Sequence, residues 1–197
     1  MLGSVPLSPF GARRPADRRE AEWVRLGARG DRAAQGAIVR AYQDRVYGLL
    51  LRLSGDRELA LDLSQETFLK AFAALKTFRQ GASLGPWLLK IANNLFIDHV
   101  RSRRTESLEA AIEEGEWHEP GAEDPAIARI VHETDLLAAL GLLPVQWRQA
   151  VVLRHLDDMP YEAIAEVLGV PVGTAKTWLF RGRERLRALL EQRGITP

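Results

Sequence analysis

Apolar residues recur at intervals of three and four along most of the chain after residue 19, which predicts helices rather than strands. Three such stripes fall in the N-terminal half, and short polar or glycine-containing segments separate them. Asp56 stands where it can cap the second helix, and Pro86 suits the first turn of the third. The predicted buried stripes are Ile38, Tyr42, Val46, Leu49, Leu50 and Leu53; Leu61, Phe68, Phe72 and Leu75; and Leu88, Ile91, Ala92 and Leu95.

The helical pattern stops at residues 105–126, which hold eight acidic residues and no Lys or Arg. Glycines and prolines fall in the same stretch, so it predicts an acidic, flexible linker rather than part of a core. The sequence therefore predicts an all-α protein with two small helical domains, residues 20–104 and 132–193. The linker occupies residues 105–131, and residues 1–19 form a disordered tail. Fully extended, the linker would span roughly 95 Å, so the two domains could occupy separated sites on a long ligand.

Two predicted helices near the C-terminus are joined by a sharp turn. Gly169 follows the first of them, and its freedom at positive φ suits a helix C-cap. The second helix is expected to begin near Pro171 or Val172. This is the helix-turn-helix pattern, whose second helix usually enters the major groove of DNA. The inward stripes are Tyr161, Ile164, Ala165 and Leu168 on the first helix, and Ala175, Leu179, Gly182, Leu186 and Leu189 on the second.

The outward face of the second helix carries residue types that read base edges. With Leu179 directed inward, a rotation of about 100° per residue places Thr177 and Arg181 nearly opposite it. Lys176 and Phe180 lie on the flank of that face. Arginine can bond a guanine edge through two hydrogen bonds, threonine can contact a thymine methyl, and phenylalanine supplies apolar contact.

The start of the same helix suits phosphate, because Gly173 and Thr174 can offer backbone N–H groups and a hydroxyl there. Arg183 projects only about 40° from the inward stripe, so we assign it to packing or to a local ion pair. A solvated basic helix of a bundle is the alternative for the whole stretch. The glycine turn and the outward Thr177 and Arg181 favour DNA.

Two helix faces of the N-terminal domain remain ambiguous when they are considered alone. Asp62, Glu66 and Lys70, with Gln65 beside them, are typical of an ordinary solvated helix face. The third helix carries a second face that mixes aromatic, amide and basic groups, which suits unpaired bases, although a solvated polar helix fits as well. The residues of this mixed face are Trp87, Lys90, Asn94, Ile97 and Arg101.

Composition excludes several classes of function. The chain has no cysteine, which excludes disulfides, thiolate zinc sites and thiol catalysis, and its net charge of +1 gives no bulk signal for nucleic acid. No apolar run is long enough to cross a bilayer, so a soluble, cytoplasmic protein is expected. The four histidines are scattered, and the chain has no Walker motif or dinucleotide fingerprint. We therefore expect no enzyme activity, no metal and no cofactor.

Three segments carry a resemblance to a known family. In order and spacing, "GDRELALDLSQETFLKAF", "FRQGASLGPWLLKIANNLFIDHVRSRR" and "LPVQWRQAVVLRHLDDMPYEAIAEVLGVPVGTAKTWLFRGRERLRALL" resemble the two conserved domains of extracytoplasmic-function (ECF) sigma factors of bacterial RNA polymerase, in the sigma-70 family. The resemblance covers about residues 31–104 and 135–190. It implies a dissociable subunit that directs core polymerase to promoters and aids promoter melting. It also implies the β′ clamp of core polymerase, promoter DNA and an anti-sigma factor as partners.

The resemblance assigns roles to individual residues. The polymerase-binding residues it implies are Asp62, Gln65 and Glu66. The residues expected at the melted −10 element include Trp87 of the mixed face and are Lys76, Phe78, Arg79, Trp87, Asn94, Asp98 and Arg101. The loop from Phe78 to Gly85 would hold a flipped base. The residues expected at the duplex −35 element are Pro171, Gly173, Thr174, Lys176, Thr177, Phe180 and Arg181.

The chain departs from the family pattern at a few positions beside these residues. Leu61 stands where an acid is common, which makes the polymerase-binding surface less charged. Trp178 replaces a frequent arginine, which puts one phosphate contact in doubt. A free-standing helix-turn-helix regulator is the competing interpretation, since the C-terminal half alone fits that class equally well. The N-terminal motifs argue against it.

Overall fold

The computed structural model describes residues 18–79, 81–114 and 135–192. These residues form eight α-helices and one short 3-10 turn, and no strand occurs among them. The all-α fold predicted from the sequence is therefore confirmed. In chain order the elements are α1 (Arg18–Gly27), α2 (Arg32–Ser54), α3 (Arg57–Ala74), the 3-10 turn (Leu75–Thr77), α4 (Leu84–Glu114), α5 (Asp135–Gly141), α6 (Val145–Asp157), α7 (Tyr161–Leu168) and α8 (Val172–Glu191).

Helix α2 is the centre of the N-terminal unit and packs against α1, α3 and α4. All six residues of its predicted stripe are buried. Aspartates begin both α2 and α3: Asp31 accepts a hydrogen bond from the Ala34 amide at 2.8 Å, and Asp56 accepts from the amides of Glu58 and Leu59. These caps satisfy donors that the helix itself leaves unpaired, so they fix where each helix starts.

The prediction for α3 was partly wrong, because Leu61 is 53% exposed and Phe72 is only half-buried. The buried face of α3 is centred instead on small residues, among them Ser64 and Thr67. Each of their hydroxyls donates to the carbonyl four residues earlier at 2.6 Å, so neither is buried unpaired. A search for apolar side chains overlooks such a face, since serine and threonine count as polar.

Helix α4 continues through Glu114, well into the stretch predicted to be linker. Residues 105–114 contain Leu, Ala and Glu and lack Gly and Pro, and these residues favour a helix despite their acidic charge. Helix α1 also begins at Arg18, inside the stretch assigned to the tail. The remainder of the predicted tail and linker lies outside the described residues.

The C-terminal unit contains the predicted helix-turn-helix, with α7 and α8 in contact and α8 packed on α6. Gly169 caps α7 at φ 68°, and its backbone N–H donates to the Ala165 carbonyl. The prediction for this turn is confirmed, because Gly169 adopts the positive φ that an L side chain rarely adopts. Along α8, the inward residues Ala175, Leu179, Gly182 and Leu189 are buried.

The two units pack against each other, which the sequence did not predict. Helix α2 contacts α5 and α6, and α4 contacts α7. Buried apolar residues from both units form one continuous cluster that runs from Ile38 to Leu189. The structure is therefore one closed body in the described part of the chain.

Gly182 provides a test of the α6–α8 packing. A Cβ added there would lie 2.6 Å from Cγ2 of Val151 and 3.1 Å from the backbone oxygen of Trp147. We expect Gly182→Ala to lower the free energy of unfolding by about 1–3 kcal/mol, since an overpacked core must shift its neighbours. Chemical unfolding followed by circular dichroism measures this loss. Gly173→Ala on the same helix is the control: its added Cβ meets no atom within 4 Å, so equal losses in both variants would contradict the close-packing account.

Candidate nucleic-acid interface

The outward face of α8 is exposed as the sequence predicted. Lys176, Thr177 and Arg181 are exposed, and Phe180 is 67% exposed. A phenyl ring in that position contributes little to its own fold, so it is available for apolar contact with a ligand. The Thr177 hydroxyl donates to the Gly173 carbonyl at 3.0 Å. This bond fixes the hydroxyl on its own helix.

The first turn of α8 has no side-chain cap. Pro171 occupies the cap position without a side-chain hydrogen bond, and Gly173 has open space where a Cβ would stand. The first-turn N–H groups of a helix lack partners within the helix, and the helix dipole makes this end positive. Pro171 and Gly173 are exposed and Thr174 is half-buried, so an anion such as phosphate can approach this end of α8.

Tyr161 supports the flank of this surface, a role that sequence reasoning missed. The Lys176 ammonium lies 5.2 Å from the centre of the Tyr161 ring, and the Arg154 guanidinium lies 5.6 Å from it. Arg154 also donates to the Met159 carbonyl at 2.8 Å. Both cations are therefore held near one aromatic ring by cation–π attraction. The sequence analysis assigned Tyr161 only to the inward stripe of its helix. The polar hydroxyl at the end of its ring was the signal that could have indicated a second role.

Arg183 faces α6, as expected for a residue that serves packing, but the contact the structure shows is a hydrogen bond to a histidine and not an ion pair. Its Nε donates to Nε2 of His155 at 3.1 Å, so the imidazole accepts at that nitrogen. Burial lowers the pKa of His155 below its usual value, and the neighbouring Arg183 and Arg154 lower it further, while Asp158 opposes them. The neutral imidazole is therefore the form that suits this contact.

The predicted −10 surface is assembled from α4 and the segment before it. The rings of Phe78 and Trp87 meet edge to face with centres 5.0 Å apart, which ties the segment after α3 to the first turns of α4. Both rings are half-buried, and Lys76 and Arg79 in the same segment are exposed. The structure thus brings two cations and two aromatic rings to the N-terminal end of α4.

Further along α4, the other predicted −10 residues share one exposed face. Asn94, Asp98 and Arg101 are exposed, and with Trp87 they fall within an arc of about 60° around the helix. Lys90 and Ile97 lie about 20° and 40° beyond this arc and are half-buried. The mixed face predicted from the sequence is therefore only partly exposed, with Asn94 and Arg101 outside and its other three residues half-buried. Gln80, in the loop expected to hold a flipped base, lies outside the described residues.

The predicted polymerase-binding residues lie on the outer face of α3. Asp62, Gln65 and Glu66 are exposed, and Glu66 pairs with Lys70 at 3.0 Å. Two leucines flank them, Leu61 at 53% and Leu69 at 69% exposure. The sequence pattern placed Leu61 in the core and did not single out Leu69. This outer face is consequently part polar and part apolar, the mixture expected of a protein-binding surface.

Comparisons with known proteins match both units. Residues 38–106 match sigma-70 region 2, and residues 133–186 match sigma-70 region 4. The ECF RNA polymerase sigma factor SigE of Mycolicibacterium smegmatis is 42% identical over 83% of this chain and 65% of its own length. The RNA polymerase sigma-H factor of Pseudomonas aeruginosa is 34% identical over 83% of this chain and 89% of its own. This chain belongs to the ECF sigma factors.

A solved structure agrees with these relatives. The sigma factor RpoE of Bartonella quintana, in complex with the anti-sigma factor NepR, matches with a TM-score of 0.66 and 29% identity. The match covers 79% of this chain and 96% of that one. This chain spans about two thirds of the length of its mycobacterial relative.

Family membership decides between the interpretations that the sequence left open. A sigma factor is a transcription initiation factor and not a catalyst, so the expectation of no enzyme activity agrees with the family. The match to region 2 excludes the free-standing helix-turn-helix regulator, because that class accounts only for the C-terminal half. Among the described residues of this sigma factor, no helix has both the length and the apolar character needed to cross a membrane.

Proposed function

We propose that this sigma factor uses three separate surfaces to start transcription. The outer face of α3 binds the β′ clamp of core polymerase, the mixed face of α4 holds the melted −10 element, and α8 reads the duplex −35 element. The observation that carries this proposal is the presence of two exposed faces of different chemistry on the units that match regions 2 and 4. One face suits unpaired bases, and the other suits a major groove.

Duplex reading rests on the chemistry of the α8 face. Arg181 and Thr177 point away from the buried Leu179, and Phe180 extends the face with an exposed ring. An arginine that bonds a guanine edge through two hydrogen bonds discriminates by roughly 1–3 kcal/mol against the wrong base. The uncapped first turn at Pro171 then binds phosphate and sets the register of the helix on the duplex.

Capture of a melted strand rests on the α4 face. Extruding a base costs a few kcal/mol of unstacking, and stacking on an aromatic ring returns roughly 1–3 kcal/mol. The Phe78–Trp87 pair supplies aromatic surface, and Asn94 supplies an amide that can bond a base edge. Lys76, Arg79 and Arg101 provide the positive charge that a strand backbone requires.

Two further assignments follow the family. The B. quintana relative was solved with an anti-sigma factor, and we infer that a partner of the same kind binds this chain. The site of action is the cytoplasm, where bacterial DNA and RNA polymerase lie. The overall test is reconstitution: sigma-free core polymerase mixed with this protein should transcribe from a defined set of promoters. Failure of the unmodified protein to bind core polymerase would overturn the proposed function.

We expect Arg181→Ala to reduce discrimination at the −35 element by roughly 1–3 kcal/mol, because it removes the contact that reads a guanine edge. Binding to matched and altered −35 duplexes at one salt concentration measures the effect. Arg185→Ala removes the same charge one turn further along the exposed side of α8 and is the control. If Arg181→Ala weakens both duplexes equally, Arg181 contacts phosphate and does not read sequence.

Asn94→Ala should slow promoter melting and leave binding to a −35 duplex unchanged. The amide is exposed on the face that we assign to the melted strand, and it lies on a different unit from the duplex-reading helix. A fluorescent base placed in the −10 element reports opening in the presence of core polymerase. If the variant opens the promoter at the wild-type rate, the assignment of Asn94 to the −10 surface is wrong.

Asp62→Lys with Glu66→Lys should give a folded protein that neither joins core polymerase nor supports transcription. Both side chains are exposed, so the exchange reverses the charge of the binding face at little cost in stability, including the loss of the Glu66–Lys70 pair. Co-migration with core polymerase on size exclusion measures binding. Glu22→Lys with Asp44→Lys makes the same change in charge at exposed positions of α1 and α2, away from the outer face of α3, and should still bind. Loss of binding in both double variants would show that net charge, and not this face, is responsible.

A further inference from the structure

Helix α1 precedes the residues that match sigma-70 region 2, since that match begins at residue 38. It nevertheless belongs to the N-terminal unit, because it packs along α2. The Tyr42 hydroxyl of α2 donates to Oε1 of Glu20 at 2.7 Å, which fixes the first turn of α1. Burial raises the pKa of Tyr42 far above its usual value, and Glu20 raises it further, so the tyrosine remains the neutral donor. The position of α1 is thus set by the core that carries the proposed −10 surface.

The other end of α1 packs on the 3-10 turn after α3. A Cβ added at Gly27 would lie 3.1 Å from Cδ1 of the buried Leu75, and the Gly27 carbonyl accepts from Nε2 of Gln35 at 3.1 Å. The lack of a side chain at Gly27 therefore lets the two segments approach closely. Arg29 follows Gly27 by two residues, and Lys76 follows Leu75 directly, so this contact places both cations beside the line where the two segments meet.

A groove runs between α1 and the 3-10 turn with the loop that follows it. Its larger part is a hollow of about 1010 Å³ that includes Val24 and Phe78 in its lining. A second hollow adjoins it beside Phe72. Arg29 and Lys76 line both hollows, so the two side chains stand where the hollows meet, on opposite walls of the groove. The larger hollow already reaches the upper limit of small-molecule pockets, about 1,000 Å³, so a groove that continues beyond it suits a length of extended chain.

The middle of this groove is positively charged. Arg29 and Lys76 are exposed, and within the described part of the chain neither of them forms an ion pair. The carboxylates of the groove belong to the first turns of α1, where Glu20 is bonded to α2 and Glu22 lies 3.8 Å from Arg25. From Glu20 to the end of α1 the helix rises by roughly 10 Å, so Arg29 and Lys76 lie away from Glu20. An anion that enters the groove therefore meets two cations at its middle.

The chemistry of the groove fits a single DNA strand. Lys76 and Phe78 line it and also belong to the proposed −10 surface, so the groove is continuous with that surface. A positive groove that follows the backbone, with an aromatic ring for a base, is the usual arrangement for binding single strands. We propose that a melted strand of the −10 element lies in this groove and that Arg29 binds its backbone opposite Lys76. This statement rests on the proposed function and adds to it a residue outside the family match.

The first experiment counts backbone contacts by their salt dependence. Core polymerase reconstituted with this protein is titrated with single strands from the −10 element of a promoter that it transcribes, at several salt concentrations. Each lost phosphate contact lowers the slope of log affinity against log salt by about 0.7 for single strands. Arg29→Gln should lose this amount of slope, so that a tenfold rise in salt weakens the parent about fivefold more than the variant.

Two further variants show whether the loss belongs to this position. Arg29→Lys keeps the charge and should keep the slope. Arg40→Gln removes the same charge at an exposed position of α2 that lines neither hollow, and it should keep the slope as well. Equal losses in Arg29→Gln and Arg40→Gln would overturn the proposal, because net charge would then explain both.

The second experiment locates the strand. This chain has no cysteine, so Arg29→Cys provides one attachment site within it for an iron–EDTA reagent that cleaves nearby DNA. In open complexes, cleavage from residue 29 should fall on one strand of the −10 element. Arg40→Cys, labelled in the same way, should give no cleavage there. Cleavage from residue 29 that is confined to DNA outside the −10 element, or no cleavage at all, would overturn the proposal.

The proposed function and this inference fail in different ways. If Arg29→Gln keeps the parent slope while Asn94→Ala still slows melting, the groove does not hold the strand and the proposed function stands. If Arg29→Gln weakens binding to core polymerase and not to the strand, the groove binds protein and the inference is wrong. If the unmodified protein does not join core polymerase, both fall.

Discussion

Three different surroundings meet helix α4, and the orientation of the mixed face that we propose to bind the −10 element depends on how the helix packs in the other two. One side, with Leu88 and Ala92, completes the N-terminal core, and a second side, with Asn93, meets the C-terminal unit. Only the third side remains for the mixed face. Because the helix is rigid, a shift of one residue in the register of any side would rotate all three by about 100°. The proposed −10 surface is thus oriented by packing that takes place elsewhere on the same helix.

The sequence predicted those parts of the fold that local periodicity determines. The stripe of α2, the caps at Asp56 and Gly169 and the outward face of α8 all follow from spacing within one helix, and the structure confirms them. The prediction failed where burial depends on a distant neighbour. Asn93 is polar and sits in a helix with a full apolar stripe, so nothing local indicates that it is buried. Its burial makes sense only once Gln149 is known to lie opposite.

Apolar and polar side chains make different contributions to the contact between the two units. Leu89 and Phe96 are buried on the same side of α4 as Asn93, and the directional hydrogen bond from Gln149 to Asn93 determines the register of the contact between the units. A hydrogen bond between neutral groups contributes roughly 0.5–1.5 kcal/mol net, whereas an unpaired buried amide costs more than that. The pair therefore disfavours any other packing of the two units that would leave one of these amides buried without its partner.

The packing of the two units depends on a bound ligand only if that ligand binds with different affinity to packed and to separated units. A ligand that binds both arrangements equally shifts nothing, however tightly it binds. The outward face of α8, which we propose reads the −35 duplex, is exposed while the two units are packed together, so a ligand that contacts this face alone does not have to separate them. A ligand that holds the units apart must supply free energy to break the interface, and a partner that contacts both units in their packed positions gains the same amount.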